Sequence, residues 1–217
     1  MQSKFDSIYK TNFWGSKESF SGPGSEKHFN KFKNIFLSNF INENNIKYIY
    51  DVCGDCNWQY DFVKLITNKN VEYFGFDVSE IALKKAKEKN KLNKNMTFSD
   101  KAIDLTNYII PCNNGDESLI IIKDVIQHIP LLDGVKMLQN IKKSGIKYIA
   151  ITNHDKELFN ITSNKNIPIG GFYTNNMFLE PFNFINPLQD VNDIIDDDHD
   201  IKRYGSLMIF NIQEQNI

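Results

Sequence analysis

Little in the sequence would hold this chain at a membrane or in an oxidising compartment. Three cysteines among 217 residues are too few, and odd in number, for a disulfide framework, so a reducing compartment is expected. No stretch reaches the roughly 18 consecutive apolar residues that span a bilayer. The first residues, Met1 to Lys10, hold no apolar run resembling a secretory signal, and a cytoplasmic protein is expected. Neither sign of charge dominates: 25 basic against 27 acidic side chains leave a net charge of −2. That near-balance removes a general electrostatic pull toward nucleic acid or anionic membrane and favours a small or neutral partner. No Pro/Ser-rich linker and no internal repeat divides the chain, so one domain over 1–217 is expected.

What is present is enough for a core. With 41% hydrophobic and 24% charged residues the chain lacks the low-hydrophobicity signature of disorder. Ser25 is a candidate N-cap for an amphipathic helix over 25–43, with Phe29, Phe32, Ile35, Phe36 and Phe40 at helical spacing. The β-branched and aromatic run 46–52 predicts a strand, followed by the turn-prone Cys53-Gly54-Asp55-Cys56-Asn57. A helix over 58–67, a strand over 71–77 and a helix from Ile81 capped by Ser79 continue the alternation. Further strands are predicted at 96–99, 119–123, 146–152 and 206–212, with a helix over 131–143 turning Leu131, Val135, Leu138 and Ile141 inward. The unbroken run Leu119-Ile120-Ile121-Ile122 suits a central parallel strand, and right-handed crossovers then give a doubly wound α/β sheet. Residues 160–187 predict a long irregular segment, and Asp196 to Asp200 a solvated turn.

In such sheets ligands bind beyond the carboxyl ends of the strands. Those ends carry Asp51 with Gly54 and Asp55, then Asp77, then Asp100 and Asp104, and finally Lys123-Asp124 with His128. Gly54 would let backbone approach a ligand before a helix start. Asp77, 23 positions later, stands near the spacing at which a carboxylate takes the hydroxyls of a nucleoside ribose. Any one of these residues also reads as a solvated strand terminus. Cys53-x-x-Cys56 reads alternatively as a redox pair, and Cys112, His154 and His199 are too scattered for a zinc site; no metal is expected.

Taken together these residues resemble the class I S-adenosylmethionine-dependent methyltransferases. The resemblance is to a branch that opens with Trp-Gly-Ser-x-Glu-Ser-x-Ser-Gly-x-Gly-Ser, here Trp14 to Ser25. It extends to Cys-Gly-Asp-x-Asn-Trp at Cys53 to Trp58, Asp-x-x-x-His-Ile at Asp124 to Ile129, and Pro-Phe-Asn-Phe-x-x-Pro at Pro181 to Pro187. The glycine loop is one residue shorter than the usual form of such loops. The resemblance implies a Rossmann-like three-layer sandwich, mostly parallel, with an antiparallel last strand. Its parts would be an arm and lid helix over 1–45, a cofactor-binding core over 46–153 and an acceptor-side loop with the last strands over 154–217. It implies S-adenosylmethionine as cofactor, with Asp77 on the ribose, Asp104 or Asp100 near the adenine, Gly54 and Asp55 beside the methionine portion, and Val78 also in the cofactor set. Asp51, Cys53, Gly54, Asp55, Trp58, Lys123 and Asp124 complete the cofactor set. His128 is the candidate general base for an alcohol acceptor, with Asp124 orienting it or binding the acceptor hydroxyl. Trp14, Ser16, Glu18, Ser19, Ser21, Asn153, Asn175 and Phe182 form the candidate acceptor set, or, for Trp14, an anchor of the arm on the core. The acceptor implied is a sugar, glycan or other polar small molecule. The alternatives are a nucleic-acid methyltransferase and a non-catalytic module that keeps the fold.

Overall fold

The computed structural model describes residues 1–197 and 200–217. The expected turn at Asp196 to Asp200 lies partly outside the described residues, at Asp198 and His199. The helices are α1 (Gln2–Thr11), α2 (Lys31–Glu43), α3 (Gln59–Val63), α4 (Glu80–Asn90) and α5 (Leu131–Lys143). The strands are β1 (Tyr48–Val52), β2 (Glu72–Phe76), β3 (Met96–Phe98), β4 (Ser118–Ile122), β5 (Tyr148–Asn153), β6 (Gln189–Asp197) and β7 (Asp200–Asn211). They form a seven-stranded sheet in the order β3-β2-β1-β4-β5-β7-β6. β1 runs parallel to β2 and β4, and β2 runs parallel to β3. β7 runs antiparallel to both β5 and β6. The expected Rossmann-like α/β sheet, mostly parallel with an antiparallel last strand, is the one observed.

The chain packs as two compact units, Met1–Asp104 with Glu117–Ile121, and Leu105–Asp116 with Ile122–Ile217. In the first, Ile49, Phe62, Tyr73 and Phe76 are buried with Leu37, Phe40 and Ile41 of α2. Helix α4 begins as read from sequence, the Ser79 hydroxyl accepting from the Ala82 amide at 3.2 Å, an N-cap. In the second unit Leu138 and Ile141 of α5, Ile149 and Ile151 of β5, and Leu207, Ile209 and Phe210 of β7 are all buried.

Two expectations are corrected and two elements were not foreseen. The helix expected over 58–67 is confined to Gln59–Val63. Helix α2 starts at Lys31, after a 3₁₀ turn over Lys27–Asn30, and not at Ser25. The Asn30 side-chain amide donates to the carbonyls of Gly24 and Glu26 just ahead of the helix, whose phase runs from Lys31. That phase leaves Phe32 and Ile35 outside, 60% and 52% exposed, and turns Lys33, Asn34 and Ser38 inward beside Leu37, Phe40 and Ile41. Helix α1 was not expected, although Phe5, Ile8 and Tyr9 recur at helical spacing and are buried. Strand β6 was not expected either; it pairs with β7 at the end of the sheet.

Candidate functional site

In the first unit the site begins where β1 ends. Asp51 accepts from the Tyr73 hydroxyl at 2.7 Å, which ties β1 to β2. The chain then turns through Cys53 to Cys56, closed by a 2.8 Å bond from the Cys56 amide to the Cys53 carbonyl. Gly54 sits at φ +55°, a left-handed conformation that glycine enters without cost. A Cβ there would collide with the hydroxyls of Ser21 and Tyr9, which are themselves 3.0 Å apart. The Gly54 amide points at the end of β2, donating to Asp77 Oδ2 at 3.2 Å. Asp77 Oδ1 accepts from the Ser79 amide at 2.8 Å.

Asp55, in the glycine turn, and Asp77, at the end of β2, are both buried. Asp77 is 6% exposed, and burial raises its pKa to about 7 against the pull of the Ser79 and Gly54 amides. Asp55 is fully buried, yet its pKa is lowered. Burial pushes it up, but Lys89 at 2.5 Å, the Ser19 hydroxyl at 2.7 Å and the Phe20 amide at 3.0 Å outweigh that. The Ser21 hydroxyl lies 2.8 Å from the same carboxylate. The serines at the centre of the Trp14 to Ser25 motif are thus fastened to the glycine turn.

The rest of that motif closes on itself. Ser16 Oγ donates to the Ser19 carbonyl and accepts from the Ser19 amide. Glu18 accepts from the Asn57 amide and the Lys27 backbone. Trp14 packs edge-on against Phe5 and Tyr9, with ring centroids 5.9 Å and 6.1 Å away, which anchors the arm to α1. Lys85 sits over the Phe20 ring at 3.3 Å from its centroid. Among the remaining cofactor candidates, Cys53 and Trp58 are buried, and burial pushes the Cys53 thiol up, away from the reactive thiolate. Val78 is half-buried next to Asp77, and the Asp77 carbonyl accepts from Ile103, one residue before the half-buried Asp104. Asp100 is exposed and paired with Lys87 at 2.8 Å.

In the second unit Asp124 stands just after β4 at φ +56°. Its carboxylate takes the Lys123 ammonium, the Gln127 amide at 2.9 Å and the Thr152 hydroxyl at 3.0 Å. His128 closes the following turn, and its Nδ1 lies 2.8 Å from the Gly171 carbonyl. A carbonyl only accepts, so Nδ1 carries the proton and the ring's basic nitrogen is Nε2. Burial lowers the His128 pKa; the Gly171 carbonyl and Asp124 partly oppose it. The backbone of the same turn binds the irregular segment again, at Gly170 and Tyr173.

Asn153 is buried, its Oδ1 accepting from the Met177 amide at 2.7 Å. Asn175 is fully buried, and Phe182 lies in the core where it faces Gly134 of α5. Sequence reading missed two members of this cluster. Gln127 lies inside the Asp124 to His128 run, and His154 follows the end of β5; strand-end position was the available signal for both.

Outside comparisons begin with a negative: no protein-family model and no curated protein matches the sequence. Solved structures do match the fold. A SAM-dependent methyltransferase from Anabaena variabilis ATCC 29413 aligns with TM-score 0.63 at 12% identity, covering 96% of this chain and 93% of that one. Magnesium protoporphyrin IX methyltransferase (ChlM) from Synechocystis PCC 6803, solved with bound SAM, aligns with TM-score 0.61 at 12% identity over 96% and 93% of the two chains. The N-methyltransferase NodS from Bradyrhizobium japonicum WM9, in complex with S-adenosyl-L-homocysteine, gives 0.61 at 10% identity over 95% and 98%. Among the described residues no helix is long and apolar enough to cross a membrane. The chain therefore has the fold seen in these SAM-dependent methyltransferases.

Proposed function

We propose that this chain is an S-adenosylmethionine-dependent methyltransferase acting on oxygen in a neutral polar acceptor, a sugar or glycan among the candidates. The observation that carries the reading is the contact between the Gly54 amide and Asp77, which joins the glycine turn to the acidic end of β2. The donor and acceptor chemistry there fits a nucleoside. Asp77 sits at a helix start, and its carboxyl group, held by backbone amides and with its pKa raised to about 7, can accept from a diol when ionised and donate to it when protonated. Asp77 and Val78 would hold the ribose, Gly54 the amino-acid end, and Asp104 the adenine side. Bound there, the cofactor would supply an electrophilic methyl group.

The remaining chemistry falls to side chains of the second unit. His128 is neutral near pH 7 because burial disfavours its cation, and with Nδ1 held by the Gly171 carbonyl its Nε2 would be the basic atom that takes the proton of an acceptor hydroxyl. Asp124, tied to Thr152, Gln127 and Lys123, supports that turn. With the cofactor bound, the rest of the rate would come from holding the acceptor oxygen in line with the methyl group.

One observation favours the second reading, a module without catalysis. The Ser21 and Tyr9 hydroxyls stand where a Cβ on Gly54 would be, so a ligand reaching Gly54 must displace part of the arm. Calorimetric titration with S-adenosylhomocysteine separates the two. Binding by the wild type, weakened at least about tenfold in Asp77→Asn, is the expected outcome; no heat and no thermal shift leaves the module.

A further inference from the structure

We infer that His154 is a positioning residue for the segment 170–177, which it holds through a hydrogen bond that only a neutral imidazole can accept. That the segment serves a methyl acceptor rests on the reading above; the clamp itself does not.

His154 is 4% exposed, directly after β5. Its backbone amide donates to the Asn175 carbonyl at 2.9 Å. The Asn175 amide in turn faces His154 Nδ1 at 3.3 Å, and Nδ1 is the sole acceptor this amide has among the described residues. Asn175 is fully buried, so an unanswered N–H there would cost free energy. With the ring proton on Nε2, both backbone groups of Asn175 are satisfied. With a proton on Nδ1, the ring can turn it only to the Asn175 carbonyl, 3.1 Å away, whose second lone pair could take it, and the Asn175 amide is then orphaned. Asn176 extends the same hold by donating its side-chain amide to the His154 carbonyl at 2.8 Å.

The two histidines of this unit thus grip one segment in opposite senses. His128 donates from Nδ1 to Gly171, a bond that survives protonation; His154 accepts at Nδ1, a bond that does not. The titratable groups facing His154 are Asp124 after β4, which favours its cation, and His128 in the next turn, which disfavours it. From its own stretch the Phe159 ring meets it edge-on at 5.3 Å, and β7 presents the backbone of Gly205. Burial is the largest influence and lowers the pKa, with Asp124 and the Asn175 carbonyl partly opposing it, so the neutral ring prevails at neutral pH and is lost as pH falls.

The test is amide hydrogen exchange at Asn175, corrected for intrinsic rates, at pH 7 and pH 5, with ¹⁵N NMR of the His154 ring. In wild type the ring proton resides on Nε2 at pH 7, and protection at Asn175 falls at least about tenfold at pH 5. His154→Asn, whose Oδ1 takes the place of Nδ1 and does not titrate, keeps equal protection at both pH values. His154→Ala has low protection at both. A proton on Nδ1 at pH 7, or an Asn variant that loses protection in parallel with wild type, overturns the inference. Should the Ala variant fail to fold, wild type against Asn still decides. S-adenosylhomocysteine titration of the same samples reports on the cofactor reading separately, since no cofactor is needed for the exchange result.

Discussion

The glycine turn and the end of β2 each bury one carboxylate, and the protein treats the two in opposite ways. Asp55 is surrounded by a lysine, two serine hydroxyls and an amide, and stays ionised well into acid. Asp77 has backbone amides but, among the described residues, no cation beside it, and its pKa rises to about 7. A buried carboxylate with a full set of charged and hydroxyl donors fastens structure. One held by amides alone is costly when ionised and keeps acceptor capacity for a ligand.

The contrast breaks most visibly in the pH dependence of stability. Asp77 binds its proton more tightly folded than unfolded, so its contribution is fully present below about pH 4 and is lost as pH rises through about 7. The expected loss is on the order of 4 kcal/mol over that window. Asp77→Asn should remove it, read as the difference between wild type and variant in urea unfolding at pH 4.5, 5.5 and 7; parallel curves would refute the shift. Asp55 runs the other way, its contribution lost only as pH falls through its depressed pKa. Asp55→Ala strands the Lys89 ammonium and should cost about 3 kcal/mol, the low end for a broken buried pair because Lys89 is 31% exposed. A loss under about 1 kcal/mol would make Asp55 dispensable.

A third perturbation carries the comparison to the second unit. His128→Ala should lower methyl transfer about 100-fold while S-adenosylhomocysteine affinity stays within about twofold. Unchanged turnover removes His128 from the chemistry. The smallest effect is expected at the arm, where Ser21→Ala deletes a hydroxyl shared by Asp55 and Tyr9. It should cost about 1 kcal/mol of stability and speed S-adenosylhomocysteine association in stopped flow. A slower association would mean that the arm assists entry instead of blocking it.

How much was legible differs by element. Ser79 as a cap, the buried run of β4 and the span of α5 followed from residue types alone, because cap chemistry and two-faced burial are local signals. The buried face of α2 did not follow, since it takes in Lys33, Asn34 and Ser38, polar residues that a hydrophobic pattern leaves outside. Strand β6 was hidden by Asp and Asn in its sequence and gains its pairing from β7. At the site, the strand-end carboxylates and His128 were visible as positions. The serines of the Trp14 to Ser25 motif were read as contacts for an acceptor, and the fold spends Ser19 and Ser21 on Asp55. His154 was passed over because its partner, Asn175, lies 21 residues further along the chain.

The amino-acid order alone thus determined the alternation of strands and helices and which acidic side chains end the strands, since both depend on neighbours a few residues apart. Only the folded chain decided which of those acids is neutralised and which is left to titrate. A pKa answers to burial, to charges and to hydrogen-bond donors close in space, and for Asp55 these come from Lys89, Ser19 and Phe20, far away along the chain but within 3.0 Å in space.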